Sequence, residues 1–271
     1  MCKNKKYQEA SDMTKRIIGI VLAVVGLVLG YSLLTSTEFE TQAAALKNAV
    51  YLENAKILPE NEGKVVILKG SLTLLEEARD PKFGLIFDSP YVRRYGEEYK
   101  NQGKDGKVDM RWVINNSLDG KFFGKVRLGD FILENAFLIN LPSASYEGFD
   151  PEILREKELR IDQDQSRSYI TTAKRSSKRS FFGDYLESPI RYRYTYVPMD
   201  RVRELTIVGI QKGNSLAFSQ EGFRGETYTK LMTKEEVLGK SASNAKVASI
   251  FGYVCCAALI AGGVFLVIRK G

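Results

Sequence analysis

Two uncharged, strongly apolar stretches bracket this chain, residues 17–34 near its start and residues 247–268 at its end. A bilayer core needs roughly 20 apolar residues of helix to cross it, and each stretch meets that length. The polar middle is then tethered at both ends. The expected architecture is a membrane-anchored α+β protein, with two transmembrane helices flanking a mainly β extracytoplasmic domain. In numbers this gives a tail at 1–16, a first span at 17–37, a domain at 38–246 with a polar loop at 160–188, a second span at 247–268 and a tail at 269–271.

Charge distribution sets the orientation and removes one class of partner. The formal net charge is +7, but residues 1–16 hold five basic and two acidic side chains. Residues 269–271 hold two basic ones, so the middle carries 33 basic against 31 acidic side chains. A near-neutral domain has no basic groove for nucleic acid. Lys3, Lys5, Lys6, Lys15 and Arg16 precede the first stretch, whereas only Lys47 follows within about 20 residues, so the amino terminus is expected in the cytoplasm. Two spans then return the carboxy terminus to the same side. The first apolar run exceeds the usual signal-peptide core and lacks a prompt small-x-small site, which favours an uncleaved anchor. The cysteines are Cys2, Cys255 and Cys256, so no disulfide can staple the domain.

Along the domain, residues 35–55 read as a helix or partly helical connector, with Ala43, Leu46 and Val50 at helical spacing. Strands are expected at 64–69, 84–87, 91–100, 107–115, 125–133, 136–141, 190–197 and 205–211. Asp105-Gly106 is hairpin-turn chemistry. Met110, Trp112 and Ile114 alternate with Arg111 and Val113 as a strand with one buried face would. Asp150-Pro151 should cap a short helix over 151–157. Serine-rich residues 160–186, with Lys174-Arg175-Ser176-Ser177-Lys178-Arg179, read as a solvated loop. Tyr192, Tyr194 and Tyr196 alternate with Arg191, Arg193 and Thr195. Thr233 and Glu236 have capping-box spacing.

No reaction can be read from these residues. Histidine is absent, which removes the common general base and zinc ligand together with Ser-His and Cys-His nucleophile systems. No phosphate loop, dinucleotide fingerprint or nucleophile elbow occurs. No catalytic, cofactor or metal-binding residue is therefore nominated. Asn115-Asn116-Ser117 matches a glycosylation acceptor, which matters only in a secretory lumen. The stronger signal lies in the apolar stretches. Gly19, Ala23, Gly26 and Gly30 share one helical face, and Ala248, Gly252, Cys255 and Gly262 keep the same stripe in the second stretch, with either the chain's own other span or another protein as the partner. Small residues let apolar helices approach closely in lipid.

The order of a span, then Pro59-Glu60-Asn61-Glu62-Gly63-Lys64-Val65-Val66 and Gly70-Ser71-Leu72, resembles transmembrane protein 43 (LUMA) and its bacterial relatives. The resemblance runs on through Tyr91-Val92-Arg93-Arg94, Val126-Arg127-Leu128-Gly129-Asp130-Phe131, residues 190–198 and residues 205–216. It implies a large hydrophilic domain on the non-cytoplasmic side and a role in organising membrane protein complexes, with no catalytic residues. In eukaryotic members that side is the endoplasmic reticulum lumen or the space between the nuclear membranes. The family has several carboxy-terminal spans where this chain has one, which is read as the bacterial form. Its Gly-Asp is not at Ser188-Pro189 but earlier, at Gly183-Asp184. The expected function is a non-enzymatic scaffold or complex subunit, with lipid, other membrane proteins or a second copy as partners. The alternative is an extracytoplasmic sensor or ligand-binding protein using the Tyr192/Tyr194/Tyr196 strand or residues 160–186.

Overall fold

A computed structural model describes residues 2–35, 38–104, 107–164, 167–172, 177–180, 183–186, 190–220 and 222–268. They form two compact units. One gathers Met1–Asn48, Glu221–Phe223 and Thr233–Gly271, the other Ala49–Gln220 and Arg224–Met232. The helices in chain order are α1 (Cys2–Thr35), α2 (Glu38–Lys47), α3 (Asn135–Leu138), α4 (Pro151–Glu156) and α5 (Lys234–Ile268).

The first unit is helical. Two of its helices, α1 and α5, are long and apolar enough to cross a membrane. The predicted capping box opens α5: the Glu236 N–H donates to Thr233 Oγ1 at 3.3 Å, and the Thr233 N–H donates to Glu236 Oε2 at 2.8 Å. No proline interrupts the helix beyond this cap. The polar residues 234–246 and the apolar residues 247–268 therefore form one rod of about 52 Å. Most apolar side chains on both helices are exposed, from Ile17, Val24 and Leu27 to Phe251, Val254 and Phe265.

The second unit is mainly β. Among the described residues, one sheet has the order Val50–Leu52, Val65–Gly70, Leu205–Lys212, Ser215–Ala217, Phe131–Leu133, Lys125–Leu128, Leu72–Glu76, with Glu226–Tyr228 also on Leu205–Lys212. The second strand continues through Ser71 into the last, which curls the sheet around a core of Val66, Leu68, Leu128, Phe131, Phe137, Ile207 and Leu216. Leu205–Lys212 is buried on both faces until Lys212, the polar Thr206 and Gln211 included. Gly129 turns the Lys125–Leu128 strand back into Phe131–Leu133 at φ +57°, where a methyl group would lie 2.5 Å from the Ala55 Cβ.

The other large sheet is antiparallel, ordered Leu159–Asp164, Arg167–Thr172, Ile190–Tyr196, Tyr91–Asn101, Met110–Ile114. Ala144–Ser145 joins Ile190–Tyr196, and Gly120–Phe123 joins Tyr91–Asn101. Its core holds Phe87, Val92, Phe149, Ile170, Tyr192 and Tyr194. As predicted, α4 opens with Pro151 after Asp150, whose carboxylate accepts the Glu152 N–H at 2.8 Å.

Four expectations need correction. The helical connector stops at Lys47, and Val50 instead begins a strand parallel to Val65–Gly70. Residues 136–141 do not form a strand. Asn135–Leu138 is one helical turn that buries the adjacent Phe137 and Leu138, which a one-faced strand cannot do. The 160–186 stretch is not a loop in its described part, because Leu159–Asp164 and Arg167–Thr172 pair over six residues, and Ser177–Ser180 pairs with Gly183–Leu186. Backbone hydrogen bonds there order a segment whose polar side chains gave no apolar alternation. Lys174, Arg175 and Ser176 lie outside the described residues, as do Asp105, Gly106 and Ser188-Pro189. Finally, Met110 and Ile114 are exposed, because their strand ends the sheet.

Candidate functional site

In the helical unit α1 and α5 run antiparallel, and α1 meets its partner along Gly19, Ala23, Gly26, Gly30 and Leu33. The approach is closest at Gly19. A methyl group there would lie 2.5 Å from the Gly263 carbonyl oxygen and 3.0 Å from the Leu266 Cβ. One on Gly263 would meet the Gly19 carbonyl oxygen and lie 2.7 Å from the Ala23 nitrogen. One on Gly26 would lie 2.8 Å from Ile260 and 3.0 Å from the Cys256 carbonyl oxygen. The backbones touch because no side chain stands between them.

The face of α5 that meets α1 shares only Gly252 with the small-residue stripe read from the sequence. Of Ala248, Gly252, Cys255 and Gly262, only Gly252 faces α1, where a methyl group would lie 2.9 Å from Leu33 Cδ1. Ala248 and Cys255 are exposed, and a methyl group on Gly262 would meet open space. The contact instead passes through Ser249, Gly252, Cys256 and Gly263. The sequence offers doublets of small residues, Ala248-Ser249, Cys255-Cys256 and Gly262-Gly263, so two stripes about 100° apart satisfy the same spacing. The deciding signal is continuity: one and two turns before Ser249 stand Ala245 and Ser241, then Val237, and all stay on the covered side.

In the β unit, the most polar buried constellation centres on Asp80, the last residue of the Ala78–Asp80 strand, which pairs with Leu85–Phe87. Asp80 is fully buried and accepts three donors: Arg94 Nη1 at 2.7 and 2.6 Å, the Tyr194 hydroxyl at 2.6 Å and the Lys82 N–H at 2.9 Å. The Arg94 Nε–H donates to the Leu118 carbonyl, and the guanidinium lies near the Phe83, Phe122 and Tyr192 rings. Lys82 Nζ donates to the Tyr192 hydroxyl at 2.6 Å. Burial first, and then the hydrogen bond to Asp80, push the Tyr194 hydroxyl pKa far up. The carboxylate is thus fully engaged as a structural anchor. Tyr192 and Tyr194 are core residues, whereas Arg191 and Arg193 project from the other face of that strand.

On that opposite face Arg191 donates to Glu97 Oε2 at 2.8 Å and to Asp164 Oδ2 at 2.9 Å. Its guanidinium carbon is 4.2 Å from the Trp112 ring centre and 3.8 Å from that of Tyr169. Burial lowers the Arg191 pKa, but the bonds to Asp164 and Glu97 outweigh it and the net direction is up. Asn115, the glycosylation candidate, accepts from Ser117 and donates Nδ2 to Glu98 at 3.0 Å.

Among the described residues, no three metal-ligating side chains come together. No family profile, curated protein or solved structure matches the chain.

Proposed function

We propose that this chain is a non-enzymatic integral membrane protein, a bacterial-type relative of transmembrane protein 43, that serves as a scaffold or subunit of a membrane protein complex. The observation that carries the reading is the register of the helix pair. With Gly19 beside Gly263 and Leu33 beside Gly252, the apolar residues 17–34 lie against 247–268 with their ends nearly level. Lys15 and Arg16 mark one end and Lys246 the other. A slab bounded in this way by charge on both helices fits a bilayer, which solvates the exposed aliphatic side chains that water would not. Both termini then face the cytoplasm and the β unit faces the other side.

Packing against α1 occupies one small-residue face of α5 and leaves Ala248, Cys255 and Gly262 uncovered. That second face supports association with another membrane protein or a second copy. Thiol crosslinking in native membranes, with gentle solubilisation afterwards, tests this. The expected outcome is an adduct that Cys255→Ser abolishes and Cys256→Ser leaves intact. Free monomer under both treatments contradicts it. Protease added from the non-cytoplasmic side should cut the β unit and spare both tails; recovery of the chain without detergent contradicts membrane insertion.

A further inference from the structure

One face of the antiparallel sheet carries arginines over aromatic rings, and its charges do not cancel. In the register of Tyr91–Asn101 with Ile190–Tyr196, Thr195 stands opposite Arg93, Arg193 opposite Tyr95 and Arg191 opposite Glu97. Side chains two apart on a strand share a face, so all six project together. Lys121, exposed, stands opposite Arg93 on the neighbouring strand. Arg191 is neutralised by Glu97 and Asp164. Arg193 shares that Glu97 carboxylate, whose Oε1 lies 3.8 Å from its Nε, an ion pair beyond hydrogen-bonding range, so among the described residues it has no carboxylate to itself.

The Tyr95 ring holds both remaining guanidiniums, with the Arg193 carbon 4.1 Å and the Arg93 carbon 4.4 Å from its centre. The two carbons are therefore no more than about 8.5 Å apart, which places both guanidiniums on one stretch of the face. Arg93 makes one long hydrogen bond to Asp119, 3.4 Å, and the Asp119 carboxylate also accepts the Gly96 N–H. Among the described residues, the buried Nε–H groups of Arg93 and Arg193 have no acceptor. Both side chains nonetheless reach solvent, 39% and 23% exposed. Stacking thus fixes two guanidiniums whose side chains still partly reach solvent, which is preorganisation for an acceptor brought from outside.

We propose that Arg93, Arg193 and Lys121, aided by the Thr195 hydroxyl, bind a phosphate-class oxyanion on this face. The anion is either a lipid phosphate headgroup or free phosphate, which present the same oxygens. A bridging oxyanion offsets the repulsion between the two arginines and adds an acceptor for guanidiniums whose protein partners are long or shared. The site stands independently of the scaffold reading.

The test uses the full chain in neutral detergent at low salt, titrated calorimetrically with inorganic phosphate and, separately, with glycerol 3-phosphate. The expected dissociation constant is on the order of 1 mM, rising about tenfold in Arg193→Ala. Lys121→Ala should weaken binding about threefold, and added salt should weaken it further. Tighter binding of glycerol 3-phosphate assigns a lipid headgroup, and tighter binding of inorganic phosphate assigns the free anion; either supports the site. No saturable heat from either probe overturns it, as does binding that both substitutions leave unchanged. If Arg193→Ala fails to fold, exposed Lys121→Ala decides alone.

Discussion

The helix pair and the antiparallel sheet solve the packing problem in opposite ways. Between α1 and α5 the contact is made of what is missing, with glycine facing glycine so that carbonyl oxygens sit where side chains would be. In the sheet the contact is made of large polar side chains, with Asp80, Arg94 and Tyr194 joined by bonds of 2.6–2.7 Å in a buried site. The first arrangement fails when atoms are added, the second when they are removed. This asymmetry matches each chemistry: lipid gives apolar helices no hydrophobic reason to associate beyond close packing, whereas a buried charge must keep its partner.

The largest effect should come from removal in the sheet. Asp80→Ala leaves Arg94 buried and unpaired, and chemical denaturation should show a loss of about 3–5 kcal/mol. A loss below about 1 kcal/mol would dissolve the contrast, since surface pairs have that size. Addition in the helix pair comes next: Gly19→Leu should cost about 1–3 kcal/mol of helix association, and Gly262→Leu close to nothing. Equal effects in a detergent-unfolding assay would mean that the α5 face is misassigned.

Tyr194→Phe is gentler, removing one hydrogen bond to Asp80 for about 1–2 kcal/mol. It also changes the pH dependence. The Tyr194 pKa is raised in the folded state from an ordinary 10.0, so its contribution is complete below pH 10 and declines above it, where only the unfolded chain ionises. A stability titration should therefore fall less steeply above pH 10 in Tyr194→Phe than in the parent. The smallest effect belongs to Thr233→Ala, which deletes half of the α5 capping box for about 0.5–1 kcal/mol of helix stability, readable by hydrogen exchange in the first turn.

The two regions were unequally legible in the sequence, for physical reasons. Alternation marked Ile190–Tyr196, because strands fix side-chain direction every second residue. Caps announced α4 and α5 through Asp150 and Thr233. The strand pairs Leu159–Asp164 with Arg167–Thr172 and Ser177–Ser180 with Gly183–Leu186 were hidden, since backbone hydrogen bonds hold them and their sequence is mostly polar. Asp80 gave no local sign of burial, because Tyr194 reaches it from 114 residues away. On α5 the small-residue signal was present but degenerate, since every doublet allows two faces. Size alone says that helices approach, and only the neighbouring turns say along which side.

The register of that approach can be measured directly. A Cβ at position 30 would lie 3.9 Å from the Cys256 Cβ, within the span of a disulfide. In membranes from cells expressing Gly30→Cys, mild oxidation should form an intrachain disulfide that survives Cys255→Ser and disappears with Cys256→Ser. A bond that depends on Cys255, or no bond at all, would contradict the antiparallel pairing of α1 with α5.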